Sequence, residues 1–425
     1  MVVTGVAIDQ DVLVVGGGLA GTTAALAAAR AGADTRLVSH KASTLASASG
    51  LIDVLGYTPA GDGPVVEPFA AIERLPESHP YRRAGLEALE SGLSLFDGVV
   101  DGYSGAGTTR NALVPTCHGR VKPTARYPDS VAPGLIGDSR ETLLVGFERL
   151  PSFDADLAAA RLSETDVPGS FRGITLSFPN GMSADPKRHR FAHLLDGNEK
   201  VNGSGVRRAL VDAIEPHVEG ARRVGLPAVL GLESPDDVRE TLVSLLGVEV
   251  FEVPTDPPSI PGSRLEKQLS EALAAAGVFV ETGNPVVGYE ATDGTVETVL
   301  VGGTGPTVPY AAEEFVLATG GLVGKGINSD RTGVREPIFD CYVAHDGDRT
   351  AWFADEVFGD HPFASFGVAP DEKLRPRDEN GCPEFDNLRA AGAVCGNYDY
   401  SAELSAGGVS LATGYRAGRL AGENG

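Results

Sequence analysis

Lysine is nearly absent from this chain. Only 7 of its 425 residues are Lys against 28 Arg, while Asp and Glu number 58, leaving a formal net charge of −23. That balance excludes nucleic acid as a ligand, because neutralising phosphates needs the opposite sign. Carboxylates in excess with so little Lys suit a protein dissolved in very high salt, where counter-ions screen the repulsion, and point to a halophilic cytoplasm. Cysteine is also rare. Cys117, Cys341, Cys382 and Cys395 include no C-x-x-C pair, which argues against iron–sulfur or zinc ligation within the chain. The four read as small buried hydrophobes in a reducing compartment, and no metal ligand is expected. No apolar run approaches the roughly 20 residues of a membrane helix, and residues 1–10 show no basic stretch leading into an apolar one. Direct membrane insertion is therefore not expected, and membrane association has to come through a partner.

Glycine, by contrast, is plentiful at 55 residues, and its placement carries the first functional signal. Residues 11–21 read Asp-Val-Leu-Val-Val-Gly-Gly-Gly-Leu-Ala-Gly, a short apolar strand running into a G-x-G-x-x-G turn. An Ala-rich helix over about 18–31 follows, then a second strand over 34–39. In such a unit Gly16 allows the tight turn, Gly18 lets a phosphate approach the backbone, and Gly21 lets helix and strand pack closely. The helix N-terminus offers N–H groups and a positive dipole end to that phosphate. The second strand closes with Ser39 where dinucleotide-binding proteins place the Asp or Glu that holds the adenosine ribose. NAD loses weight accordingly, and a cofactor lacking the AMP half, such as FMN, does not need the acid.

Further along, residues 56–68 read as a surface loop. A second βαβ-like unit spans 141–178, with helices following around 204–219 and 235–246. A Pro-rich stretch at 254–262 leads into an amphipathic helix from Ser263 to Ala276. Cofactor-type sequence returns in the apolar strand ending Ala318-Thr319-Gly320-Gly321. It recurs at Gly392 and at Gly407-Gly408, after which a helix is expected from Leu411. Three glycine-marked turns in this order indicate an α/β, Rossmann-like flavin-binding domain built from residues 1–110 and 261–425. An inserted, substrate- or partner-facing α/β domain is expected over 111–260.

These segments resemble the B subunit of the anaerobic glycerol-3-phosphate dehydrogenase, a flavoprotein of the fumarate-reductase-like class. The resemblance runs nearly the whole length. It is carried by Gly16–Gly21, by Ser49-Gly50-Leu51-Ile52-Asp53 and by His79-Pro80-Tyr81. Pro257-Pro258-Ser259 with its following Arg264, Gly333-Val334-Arg335-Glu336-Pro337-Ile338, Phe366-Gly367-Val368, Leu374-Arg375-Pro376 and Gly407-Gly408 complete it. The resemblance implies oxidation of sn-glycerol 3-phosphate to dihydroxyacetone phosphate with electrons passed to quinone. It also implies FMN rather than FAD on this subunit, in keeping with Ser39. The implied partners are a second flavin dehydrogenase subunit and a membrane-associated iron–sulfur subunit, which would place the chain in the cytoplasm, peripheral to the membrane. Two alternatives stay open: a scaffold or electron-relay flavoprotein, and a flavin oxidoreductase for another small organic substrate.

Oxidising a secondary alcohol phosphate with a flavin needs a base for the hydroxyl proton and cations for the phosphate. Arg binds phosphate oxygens in pairs, and Arg264, Arg331, Arg335 and Arg375 all sit in Gly- and Pro-rich stretches. Arg335 and Arg264 are the first choices, with Glu336 the expected structural partner of Arg335 if that arginine serves the cofactor instead. His79, His118 and His361 are candidate bases, and His118, in the loop 115–119, is preferred. The expected cofactor contacts are Gly16, Gly18, Gly21, Ser39, Ser49, Gly50, Gly320, Gly392, Gly407 and Gly408, with Ser47 in the same small-residue loop as Ser49.

Overall fold

The computed structural model describes residues 8–41, 43–179, 187–201, 203–302, 305–357 and 359–425. Along the chain, the elements that position the site begin with strand β1 (Ile8–Val15), helix α1 (Leu19–Ala31) and strand β2 (Thr35–Ser39). The short helix α2 (Pro80–Ala84) follows, then the hairpin strands β3 (Ala112–Pro115) and β4 (Val121–Thr124). Next come β5 (Thr142–Phe147), α3 (Ala155–Glu164), β6 (Phe171–Leu176), α4 (Arg188–Gly197), α5 (Val206–Ile214), β7 (Arg223–Pro227), α6 (Pro235–Leu246) and β8 (Glu249–Val253). Helix α7 (Ile260–Ala275) precedes β9 (Phe279–Thr282), β10 (Val286–Thr292), β11 (Thr295–Val301) and β12 (Val308–Leu317). The two-residue β13 (Val334–Arg335), β14 (Leu388–Ala390) and helix α8 (Ala406–Asn424) end the series.

Two units divide the chain: residues 1–44, 53–101 and 268–425, and residues 45–52 with 102–267. The first holds a seven-stranded sheet in the order β9-β2-β1-β12-β11-β10, with β14 also on β12. Its strands β9, β2, β1, β12 and β14 run parallel, and β10 and β11 add an antiparallel edge. Val12, Leu13 and Val14 are buried on both faces, as a central parallel strand requires. Glycine and alanine set the helix packing on this sheet. A Cβ at Gly414 or Gly418 would run into the Ala20 or Ala24 carbonyl oxygen, and one at Gly422 would lie 2.9 Å from that of Ala28. The four-residue spacing therefore lays α8 directly on the Ala-rich α1, backbone against backbone. Helix α8 begins at Ala406, five residues before Leu411, so Gly407 and Gly408 lie in its first turn and not in a preceding loop. Gly408 can start the helix there because it packs under Tyr81, where a Cβ would overlap the phenol oxygen and sit 2.8 Å from Val54 Cα.

The second unit is built on a four-stranded parallel sheet, β8-β7-β5-β6. Its core gathers Leu143, Val145, Phe147, Phe191, Leu210, Val224, Leu226 and Val250. Compared with the expected 111–260, this unit runs from 102 to 267 and also takes in residues 45–52. Ile52 pairs with Arg126, and Gly262 approaches the Leu45 and Ala48 carbonyls so closely that a Cβ would overlap both. Ser49 and Gly50 thus belong here and not to the unit carrying the glycine-rich turn.

With a formal net charge of −23, added salt is expected to stabilise the fold by screening carboxylate repulsion. The thermal midpoint should rise between low and molar KCl. A flat or falling midpoint would refute the high-salt reading of the composition.

Candidate flavin site

The three motif glycines have separable tasks. Gly16 sits at φ +118°, in the left-handed region, and a Cβ there would overlap the Ala318 carbonyl. A Cβ on Gly21 would overlap the Gly16 carbonyl. Both are packing requirements that hold α1 against the ends of β1 and β12. Gly18 differs: its φ of −77° and ψ of −176° are open to any residue, and nothing lies within 4 Å of where its Cβ would be. It is also the N-cap of α1 and offers no side-chain cap. Helix start and open space coincide there, as an anion-binding turn requires.

That space is a cavity of about 430 Å³ at the carboxyl ends of β1, β2 and β12, lined by Gly16–Gly18, Ser39–Lys41, Ser43, Thr44, Pro285, Val286, Ala318–Gly320, Gly324, Lys325, Pro337 and Ile338. Its size is that of a ligand pocket, and its place at strand ends is where open α/β sheets bind ligands. Lys41 and Lys325 both line it, two of the seven lysines in the whole chain. Thr319 holds its hydroxyl buried without a hydrogen-bond partner among the described residues. Ser39 Oγ donates to the Lys41 carbonyl at 2.9 Å. Of the expected cofactor residues, Gly16, Gly18, Ser39 and Gly320 meet in this cavity, with Gly21 packed behind the turn. Gly392 packs on Ala20 of α1 and donates its N–H to Thr413 Oγ1. Gly392, Gly407 and Gly408 are not among the lining residues. Sequence reading missed Lys41, Lys325 and Thr319; the scarcity of Lys was the available signal.

The candidate substrate residues scatter. Arg335 lies exposed on β13, two residues before the lining Pro337. Among the described residues its side chain makes no hydrogen bond or ion pair, though its charge helps lower the Asp330 carboxyl. Glu336 does not partner it. That side chain is fully buried and its two oxygens accept the N–H groups of Ile338 and Phe339 at 2.9 and 2.7 Å. Burial pushes its carboxyl up to about 7 despite those bonds. Arg375 pairs with Asp371 and Asp386, and Arg331 is exposed.

Arg264 and His118 lie in the second unit. The Arg264 guanidinium donates to both Glu252 oxygens, at 2.7 and 3.0 Å, and to the Gly231 carbonyl, so its fork is spent on the protein itself. His118 is half-exposed, with Nε2 2.9 Å from the Asp256 carboxylate. His79 is buried: Nδ1 accepts from Tyr81 N, capping α2, and Nε2 lies 3.0 Å from Glu403 Oε2. The His361 ring is held between Ala354 N and the Val357 carbonyl. Ser49 Oγ accepts from Leu51 N, and the Gly50 carbonyl accepts from the Tyr103 hydroxyl.

Residues 11–409 match the FAD binding domain family. A relative from Halobacterium salinarum, described as the B subunit of a probable anaerobic glycerol-3-phosphate dehydrogenase, is 58% identical over 98% of this chain and 99% of its own length. The chain belongs to this family of dehydrogenase B subunits. A Pectobacterium atrosepticum member is 30% identical over 94% of this chain and 96% of its own. Among solved structures, an open flavocytochrome c3 fumarate reductase aligns with 99% of this chain and 79% of that one, at 13% identity and a TM-score of 0.42. The family assignment makes this protein a flavoprotein. No helix among the described residues is long and apolar enough to cross a membrane.

Proposed function

We propose that this protein takes part in the flavin-dependent oxidation of sn-glycerol 3-phosphate to dihydroxyacetone phosphate, within a complex that passes electrons to quinone. The observation that carries the reading is the cavity at Gly18, on a chain matched over nearly its full length to the dehydrogenase relatives. Bound flavin supplies the two-electron acceptor. The chain's own part is to hold the flavin phosphate at the α1 N-terminus, with Lys41 and Lys325 offsetting its charge. Arg335, whose side chain has no hydrogen bond or ion pair among the described residues and which lies two residues before the lining Pro337, is proposed to bind the substrate phosphate. A second flavin subunit and an iron–sulfur subunit at the membrane are the proposed partners, with this chain peripheral to the cytoplasmic face.

FMN is the proposed form. The hydroxyl of Ser39 is already donated to a backbone carbonyl, and a neutral oxygen is a weaker partner for ribose hydroxyls than a carboxylate. Two observations favour FAD instead: the matched family is that of an FAD binding domain, and Pro285 and Val286 also line the cavity. Releasing the cofactor from the purified protein and separating FMN from FAD by chromatography tests this directly. FAD as the sole product would overturn the FMN reading.

For the substrate, Arg335→Ala in the reconstituted complex is expected to raise the KM for glycerol 3-phosphate with flavin content unchanged. Losing a charge-assisted contact costs about 1.5–3 kcal/mol, roughly ten- to a hundredfold. Unaltered kinetics would remove Arg335 from the site, and loss of flavin would move it to the cofactor.

A further inference from the structure

Cys117, His118 and Asp256 are the one group of metal-competent side chains that the fold brings together among the described residues, with Sγ, an imidazole nitrogen and a carboxylate oxygen all within 4.8 Å of one another. We propose that these three residues form a site for a borderline-soft divalent cation, zinc foremost, in the second unit.

Thiol, imidazole and carboxylate are the ligand types of zinc. Bonds of about 2.0–2.3 Å in a tetrahedron set ligand atoms roughly 3.3–3.8 Å apart, so only small side-chain adjustments are needed. A mixed sulfur–nitrogen set disfavours magnesium and calcium. With three protein ligands the fourth position is left to water. It faces outward, since the His118 and Asp256 side chains are 55% and 49% exposed while Cys117 is buried.

The backbone on both sides is already fixed, which is what separates a site from a chance cluster. On one side, the turn between β3 and β4 closes through Gly119 N–H to the Thr116 carbonyl and Thr116 N–H to the Arg120 carbonyl, each 2.9 Å. Arg161 of α3 donates to the His118 carbonyl at 3.1 Å. On the other side, Arg188 of α4 donates to the Asp256 and Pro258 carbonyls. The two meet where Cys117 N–H donates to the Pro254 carbonyl at 3.2 Å. A bound ion would clip the β3–β4 turn to the segment that enters α7.

The test loads the full-length flavoprotein with Zn²⁺ or Co²⁺ in molar KCl, removes free ion by gel filtration, and measures retained metal and the cobalt difference spectrum. Retention of one ion per chain is expected, with tetrahedral cobalt bands and a thiolate-to-cobalt charge-transfer band. Cys117→Ser should abolish the charge-transfer band. Loss of a mere outer-shell partner weakens metal binding roughly 10–100-fold, so His118→Ala and Asp256→Asn should weaken retention by at least that much. Cys382→Ser, removing the exposed thiol, should change nothing. Flavin content reports that each variant is folded, and no turnover is needed, so failure here leaves the flavin reading untouched. Wild-type protein that retains no metal, or a charge-transfer band that survives Cys117→Ser, overturns the proposal.

Discussion

Gly18→Val is expected to give a folded, colourless protein. The backbone there, at φ −77° and ψ −176°, accepts a β-branched residue without strain, and nothing stands within 4 Å of the new Cβ. The structural penalty is that of replacing a helix N-cap glycine by an apolar residue, at most about 1 kcal/mol. The isopropyl group instead fills the space directly before the α1 N-terminus, where the flavin phosphate is proposed to lie. Flavin content after purification should fall to near zero while far-UV circular dichroism is kept. Gly21→Ala is the contrasting control. Its Cβ would overlap the Gly16 carbonyl, so it should lose the fold and the flavin together. A yellow Gly18→Val protein with full flavin occupancy would move the cradle elsewhere.

What the sequence made legible was local. The run from Val12 to Ser39 predicts strand, turn, helix and strand close to the observed bounds, because apolar periodicity and glycine punctuation act over a few residues. The βαβ unit at 142–176 is legible for the same reason. Features that depend on distant neighbours were hidden. The start of α8 at Ala406 depends on Tyr81, far back in the chain, accepting a glycine beneath its hydroxyl. Residues 45–52 look like part of the flavin segment until Arg126 and Gly262 claim them. The contact of Asp256 with His118 across 138 residues was equally hidden. Lys41 and Lys325 were visible only as rarities, since nothing in the sequence says that β2 and the loop after β12 end in the same cavity.

Arg264→Ala should be among the most destabilising single changes in the chain, and its effect should appear in folding before it appears in substrate kinetics. Glu252 is wholly buried. It takes two hydrogen bonds from Arg264, one from Ser130 Oγ and one from Leu230 N–H, the last two at 2.7 Å. Burial raises its carboxyl, but the Arg264 charge and these bonds outweigh that and hold it below the ordinary value. The pair therefore contributes stability that is present above the unfolded carboxyl pKa and lost as pH falls through the lower folded one. Removing only the arginine strands a buried carboxylate, which typically costs about 3–5 kcal/mol. In the variant the carboxyl should titrate above its unfolded value, so the stability deficit should begin to shrink as pH falls through that raised value, before the ordinary carboxylate range is reached. The reversed pH dependence marks the stranded charge and separates it from simple loss of packing. Pairing Arg264→Ala with Glu252→Leu should recover part of the loss, because the double change removes the charge that had no partner. Urea unfolding in molar KCl across pH 4–8 measures all three proteins. A variant of unchanged stability with a raised KM for glycerol 3-phosphate would return Arg264 to the substrate and leave Glu252 held by Ser130 and Leu230 alone.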